Sequence, residues 1–272
     1  MSSFILKEKE YKKFIGDLIT YKADFDAIYS GSSEKFIFRG NTYSLFEKST
    51  SGKGFHLCKM FKKDVDLWLS ENSESLEPRE HDYKEQYFNL KAINDNIGVS
   101  QVAFDISDCY WSVAYKLGFT SYETFIKGKS GGKKWKIGRV ASIGSLSKTI
   151  VKVPYADGKP VKSLKTVVNT PIEYQYVRNV IIGYVYDMFY RLYQEIGDKQ
   201  FFMFLTDCVY FDMSQINYVR KFFKARGFKF TVKDVIFIEA NEKQRAVKWM
   251  DYSQKSEKIS KYYQYNDSQL IF

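Results

Sequence analysis

Two aspartates stand where an apolar strand has no use for a charge. In "VAFDISDCYWSVAYKLG", residues 102 to 118, Asp105 ends a short apolar run, and Cys109, Tyr110 and Trp111 follow it. In "FFMFLTDCVYFD", from Phe201, a longer apolar run is broken by Asp207, with Cys208 behind it. A buried carboxylate without a partner is costly, so core packing explains neither position. Two carboxylates that face each other repel unless a divalent cation sits between them. If the strand of Asp105 lies beside a hairpin with Asp207 at its tip, both converge at one edge of a sheet. Divalent ions held there could activate an attacking hydroxyl and stabilise a leaving pyrophosphate. Singly, each aspartate also suits ordinary structure, Asp105 as a helix N-cap and Asp207 as a turn residue. Together, with Tyr110 placed to wall a pocket beside Asp105, they point to chemistry.

The remaining side chains fix the class of metal. Cys58, Cys109 and Cys208 form no Cys-x-x-Cys pair, and His56 and His81 are too few for a histidine centre. A structural zinc site is excluded, and oxygen ligands favour magnesium or manganese. The formal net charge of +10 is uneven: residues 1–100 carry 15 Lys+Arg against 16 Asp+Glu, so the excess lies in residues 101–272. Residues 127–165 alone hold 11 Lys+Arg and a single acid, Asp157. Such a concentration suits a polyanion, although a solvated loop can carry the same run. With aromatic residues at 18% of the chain, stacking rings are at hand beside that charge, as single-stranded nucleic acid requires.

These residues need a scaffold, and 272 residues are enough to bury a core. No apolar run reaches the roughly 18 residues of a membrane span, and "MSSFILKEKEYKKF" has no secretory h-region, so an intracellular, cytoplasmic setting without membrane partners is expected. Helical spacing places Tyr11, Phe14, Ile15, Leu18 and Ile19 on one face, and Leu57, Met60, Phe61, Val65 and Leu69 on another. After a polar break at Pro78, "YKEQYFNLKAINDNIG" reads as a further helix ending at Gly98, which makes residues 1–100 a mostly helical region. From residue 101, "QVAFDI" reads as a strand, "YWSVAYKLG" as a helix and "KGKSGGKK" as a loop. "WKIGRVASIGSLSKTIVKV" is of mixed character, and a long helix follows from Pro171 to Gly197. A hairpin turns at Thr206-Asp207, a helix runs from Ser214 as N-cap to Gly227, and "FKFTVKDVIFIEA" supplies two short strands. The expected class is α+β, an antiparallel sheet with helices packed on one face.

"DISDCYWS", Asp105 to Ser112, resembles motif A of family B DNA polymerases, D-x-x-S-L-Y-P-S, and "FLTDCVYF" resembles their motif C, Y-x-D-T-D-S. The resemblance implies a polymerase-type palm over residues 101–250 with a basic insertion at 119–170, preceded by the helical region and followed by a tail at 251–272. It implies that Asp105 and Asp207 are the catalytic, metal-binding aspartates and that Tyr110 closes the sugar pocket. The departures are Asp108, Cys109 and Trp111 in motif A, and in motif C Leu205 for the first aspartate and Cys208 for the serine. For motif B the nearest stretch is "KIGRVASIG", which keeps Lys136 and Gly144. Lys136, Arg139 and Lys148 are then expected to meet the nucleotide, and Lys133 and Lys134 the nucleic acid. "KQRAVKWMDY", with Lys243, Arg245 and Lys248, resembles the lysine-tyrosine motif that grips the primer end.

The implied function is a reduced, template-directed DNA polymerase without an exonuclease domain, suited to a small viral or mobile-element genome. Its cofactor would be Mg2+ or Mn2+. Its partners would be DNA primer-template, nucleoside triphosphates and a replication partner protein. Two other readings stay open: a palm that kept its fold for nucleic-acid binding or assembly and lost activity, and a palm-type reverse transcriptase.

Overall fold

A computed structural model of the chain describes residues 2–30, 33–45, 52–72, 84–252 and 259–270. The protein is α+β and divides into two units, each built from two segments: Met1–Leu76 with Thr120–Arg178, and Glu77–Phe119 with Asn179–Phe272. The first unit opens with β1 (Ser3–Leu6), α1 (Glu8–Thr20), β2 (Phe25–Ser30), β3 (Ser33–Phe38), β4 (Asn41–Leu45) and α2 (Gly52–Asn72). The second begins with β5 (Gln86–Phe88), α3 (Leu90–Asp95), β6 (Ser100–Ile106) and α4 (Cys109–Lys116). The chain then returns to the first unit for α5 (Tyr122–Lys129), α6 (Gly132–Ser145), β7 (Thr149–Ala156), β8 (Lys159–Pro160) and β9 (Thr166–Asn169). From the long α7 (Ile172–Ile196) it runs through β10 (Phe201–Leu205), β11 (Cys208–Phe211), α8 (Ile216–Ala225), β12 (Phe230–Asn241), β13 (Ala246–Asp251) and β14 (Ile259–Gln264). The basic stretch therefore folds with the N-terminal residues, and the division is not the linear one at residues 100 and 250 that the sequence suggests.

In the first unit the strands run β1-β4-β3-β2-β7-β8, with β9 also on β7, and only β1–β4 among these pairs is parallel. The amphipathic face expected of α1 lies on this sheet: Tyr11 and Leu18 are buried, and Phe14 and Ile15 pack against a core of Phe25, Ala27 and Phe36. Ile19, expected on that face, is exposed. Residues 1–100 are not the mostly helical region expected, because β2, β3 and β4 occupy 25–45. Their signal was alternation, with Phe25 and Ala27 buried and Asp26 between them partly exposed, in runs too short to stand out. Gly138 of α6 meets α2 closely: a Cβ there would stand 3.0 Å from Gly54 Cα and 3.2 Å from Leu57 Cδ2. The expected loop "KGKSGGKK" shrinks to a break between α5 and α6 at Ser130 and Gly131, with Gly131 and the first residue of α6, Gly132, both at positive φ.

The second unit is a seven-stranded sheet in the order β14-β13-β12-β6-β11-β10-β5, antiparallel at every step. One face packs on α7 and α8. Phe104 is fully buried there, stacked on Phe230 at 4.4 Å and edge-on to Phe211 at 5.1 Å, while Phe189 of α7 meets Phe204 at 5.1 Å. Burying one such ring contributes about 3 kcal/mol. The other face is not bare, as helices on one side only would leave it: Ala103, Tyr210, Val235, Phe237 and Trp249 cluster with Ala92 and Ile93 of α3.

Smaller expectations are corrected within this unit. "YKEQYFNLKAINDNIG" is β5 and α3 rather than one helix, because Asn89 caps a new helix by accepting from the Ala92 N–H at 3.1 Å. "FKFTVKDVIFIEA" is one strand, not two, with an irregularity between Phe237 and Glu239. The tail 251–272 contributes β14, paired along β13. The N-cap expected at Ser214 is instead Asp212, whose side chain accepts from the Ser214 N–H at 2.9 Å ahead of a 3-10 turn leading into α8. The Pro78 break lies outside the described residues.

Candidate functional site

Asp105 is the penultimate residue of β6, set between buried Phe104 and buried Ile106. Residues 102–104 are buried, while the Asp105 side chain keeps 39% of its surface. β6 is paired on both sides, by β11 and by β12, so its backbone is held rigidly. Asp105 is opposite Cys208 of β11 and Thr231 of β12. Side chains alternate between faces of a strand. Asp105 therefore shares its face with Ala103, Cys208, Tyr210 and Lys233, not with Phe104 and the helices.

Asp207 is in the two-residue link of the β10–β11 hairpin, whose last pair is Leu205 with Cys208. The Ile106 N–H donates to the Asp207 carbonyl at 2.9 Å, so the hairpin tip is bonded to the residue after Asp105. Thr206, beside Asp207, has φ 53°. Left-handed backbone is unfavourable for a β-branched residue and costs on the order of 1–3 kcal/mol. The neighbours hold it there: the Thr206 N–H donates to Glu85 O at 2.8 Å, and its hydroxyl donates to Leu205 O at 2.8 Å and lies 3.1 Å from Asp207 Oδ1. A second left-handed residue, Asp108 at φ 53°, precedes α4. Tyr110, in the first turn of α4, donates its hydroxyl to Thr206 O at 3.1 Å. The tyrosine is thereby tied to the tip that carries Asp207.

The electrostatics bind this end together. Lys233 Nζ pairs with Asp105 Oδ2, and its side chain is only 17% exposed. Burial works to lower the Lys233 pKa, but the hydrogen bond to Asp105 and the charges of Asp105 and Asp251, with Cys208 beside them, leave it raised. Burial, and then Asp207 and Asp105, hold the Cys109 thiol well above its usual range. Cys208 is pushed up to about 12, first by burial, with Lys233 and a Tyr210 hydrogen bond opposing and both aspartates adding. Burial thus favours the neutral thiol at both cysteines, which pack as small apolar side chains.

Among the described residues no group of three or more His, Cys, Asp or Glu side chains comes together for a metal. The tip carbonyls of Leu205, Thr206 and Asp207 each accept a hydrogen bond, so the donors at this end are the carboxylate oxygens of Asp105 and Asp207. That set suits a magnesium-like ion, which is held by one or two carboxylates and keeps water and phosphate oxygens for the rest of its shell.

The other expected residues are placed elsewhere. Lys136, exposed, and Arg139 are on α6, and exposed Lys148 precedes β7, all in the first unit. Arg139 is committed in part, donating to Gly128 O at the end of α5. Lys133 and Lys134 lie in the first turn of α6. Lys243 and Arg245 are in the β12–β13 turn, where Arg245 pairs with Asp267 at 2.9 Å, and Lys248 is opposite Glu239. At about 3.3 Å per residue along β12 that turn is roughly 30 Å from the register of Asp105. The structure thus unites Asp105, Asp207 and Tyr110 and separates Lys243 and Arg245 from them. Sequence reasoning missed Lys233; its signal is the spacing of Lys233, Val235 and Phe237, which puts a lysine on the same strand face as two apolar residues that are buried. No protein-family model, curated protein or solved structure matches this chain.

Proposed function

We infer that the chain is a template-directed, DNA polymerase-like nucleotidyltransferase whose second unit is a palm. The observation that carries this reading is the β6–β11 pairing, which sets Asp105 beside the hairpin tip of Asp207 with Tyr110 bonded to that tip. The left-handed backbone at Thr206 and Asp108 adds support, since strain of this kind gathers at functional sites. Asp105 and Asp207 would hold Mg2+ or Mn2+, which when bound supplies activation of a hydroxyl and charge neutralisation at phosphate. The protein's part is positioning: a doubly paired strand fixes one carboxylate, and a pinned tip fixes the other. The Tyr110 ring stands beside them as a wall. A second reading, a palm that binds nucleic acid without activity, is favoured by the Asp105–Lys233 ion pair, which neutralises one candidate ligand. Among the described residues no helix is long and apolar enough to cross a membrane.

The basic stretch supports a nucleic-acid partner. Lys136, Lys148, Lys159, Lys162 and Lys165 are exposed, whereas Lys152 is engaged by Asp26 at 2.8 Å. Replacing Lys136, Lys148 and Lys165 by Ala is expected to weaken DNA binding and to flatten its dependence on log salt by about 2 to 3, since each phosphate that a lysine neutralises adds nearly one unit of slope. Fluorescence anisotropy across a salt series measures this. An unchanged slope would return the stretch to an ordinary solvated surface. Extension of a primed template separates the active reading from the inactive one.

A further inference from the structure

Lys233 stands between two carboxylates on one face of the second unit's sheet. It is opposite Ala103 on β6, so Asp105 is its diagonal neighbour on that side. Val235, two residues on, is opposite Asp251 of β13, which makes Asp251 the diagonal neighbour on the other side. Diagonal pairs lie within reach of a side chain as long as lysine. The ammonium is paired with Asp105, while Asp251, 4% exposed, has Lys261 at 3.7 Å. The charged and titratable groups facing Lys233 are thus Asp105, Asp251 and Cys208, with Tyr210 and Lys261 next to them. A burial this deep makes an unpaired charge costly, so the ammonium will leave one carboxylate only for another.

We propose that Lys233 is a displaceable counter-ion of the Asp105–Asp207 site, which occupies Asp105 when no divalent cation is bound and swings to Asp251 when one arrives. The proposal rests on the reading that these aspartates take a divalent cation. Its consequence is that metal affinity is set by a competition inside the protein. The resting site is kept neutral at Asp105 by the ammonium, and the cation must displace that tethered charge to enter. Lys233 is a positioning residue in this scheme, since it acts through Asp105.

The test is Mn2+ binding by the full chain, read from the loss of the free-ion signal in electron paramagnetic resonance, with no nucleotide or DNA present. Lys233→Met, which keeps the length of the stem, is expected to lower the Kd for Mn2+ by tenfold or more, on the order of the repulsion between neighbouring charges in a partly buried site. Lys233→Arg should stay within a few-fold of the unaltered chain, and Asp251→Asn should bind several-fold more weakly because the ammonium loses its alternative acceptor. Lys229→Met, at an exposed position just before β12, leaves Lys233 and Asp251 in place and should shift the Kd by less than about twofold. Equal tightening by Lys233→Met and Lys229→Met would overturn the proposal in favour of a general field effect. Mn2+ binding that Asp207→Asn removes but Lys233→Met leaves unchanged would overturn it while sparing the metal site. Absence of binding in every variant would overturn both.

Discussion

Asp207→Ala is expected to reduce nucleotide addition to a primed template by at least about 10^3-fold with little change in stability. Loss of metal-based stabilisation worth several kcal/mol has that effect on rate. Asp207 is at a hairpin tip, where its carboxylate meets the Thr206 hydroxyl at 3.1 Å while backbone hydrogen bonds hold the turn, so the melting temperature should move little. Asp105→Ala should be equally inactive but less stable, by about 1–2 kcal/mol, because Lys233 loses a charged hydrogen-bond partner. The two variants thus separate chemistry from folding: equal loss of activity with unequal loss of stability. Primer extension and thermal melting on the same preparations check this. Full activity in either variant would remove the carboxylate pair from the mechanism.

Tyr110→Ala is expected to let ribonucleotides in. If the ring lies under the incoming sugar, it leaves room for hydrogen at the 2′ carbon and none for the hydroxyl by which RNA is told from DNA. Such discrimination depends on ring volume, so Tyr110→Phe should keep the deoxynucleotide preference. Phe removes the bond from the phenol to Thr206 O at 3.1 Å, a cost of about 1 kcal/mol in stability. Tyr110→Ala should relax the preference by tenfold or more while losing far less rate than the aspartate variants. Side-by-side incorporation of ribo- and deoxynucleotides provides the readout. Equal loss of both, tracking a melting temperature lowered as by truncation of a buried ring at about 3–5 kcal/mol, would assign Tyr110 to packing alone.

The legible parts of this site are those where sequence breaks its own pattern. Asp105 and Asp207 interrupt buried apolar runs, and the hairpin at Thr206-Asp207 follows from a polar pair between strands. What a linear reading does not contain is pairing between distant strands: β6 lies between β11 and β12, and only that order puts Lys233 against Asp105. The expectation of two strands in "FKFTVKDVIFIEA" hid the lysine, since a break there loses the alternation that turns Lys233 inward. Lys243 and Arg245 were expected at the primer end from the resemblance of "KQRAVKWMDY" to a lysine-tyrosine motif, yet β12 carries them away from Asp105 along its full length. In the N-terminal region, α1 and α2 were legible because an amphipathic stripe repeats over several turns. β2, β3 and β4 were not, because their alternation lasts few residues and their burial depends on α1 and on β7, distant in the chain.

Whether the chain adds nucleotides through the Asp105–Asp207 end of its second sheet is decided by one incubation. The unaltered chain is mixed with a labelled primer on a DNA template, deoxynucleoside triphosphates and Mg2+ or Mn2+, with Asp207→Ala alongside. Template-dependent extension is expected from the unaltered chain, with a requirement for the divalent ion, and none from Asp207→Ala. Tight binding of the same DNA without any extension in either metal would contradict the polymerase reading and leave a nucleic-acid-binding protein whose Asp105 is held by Lys233.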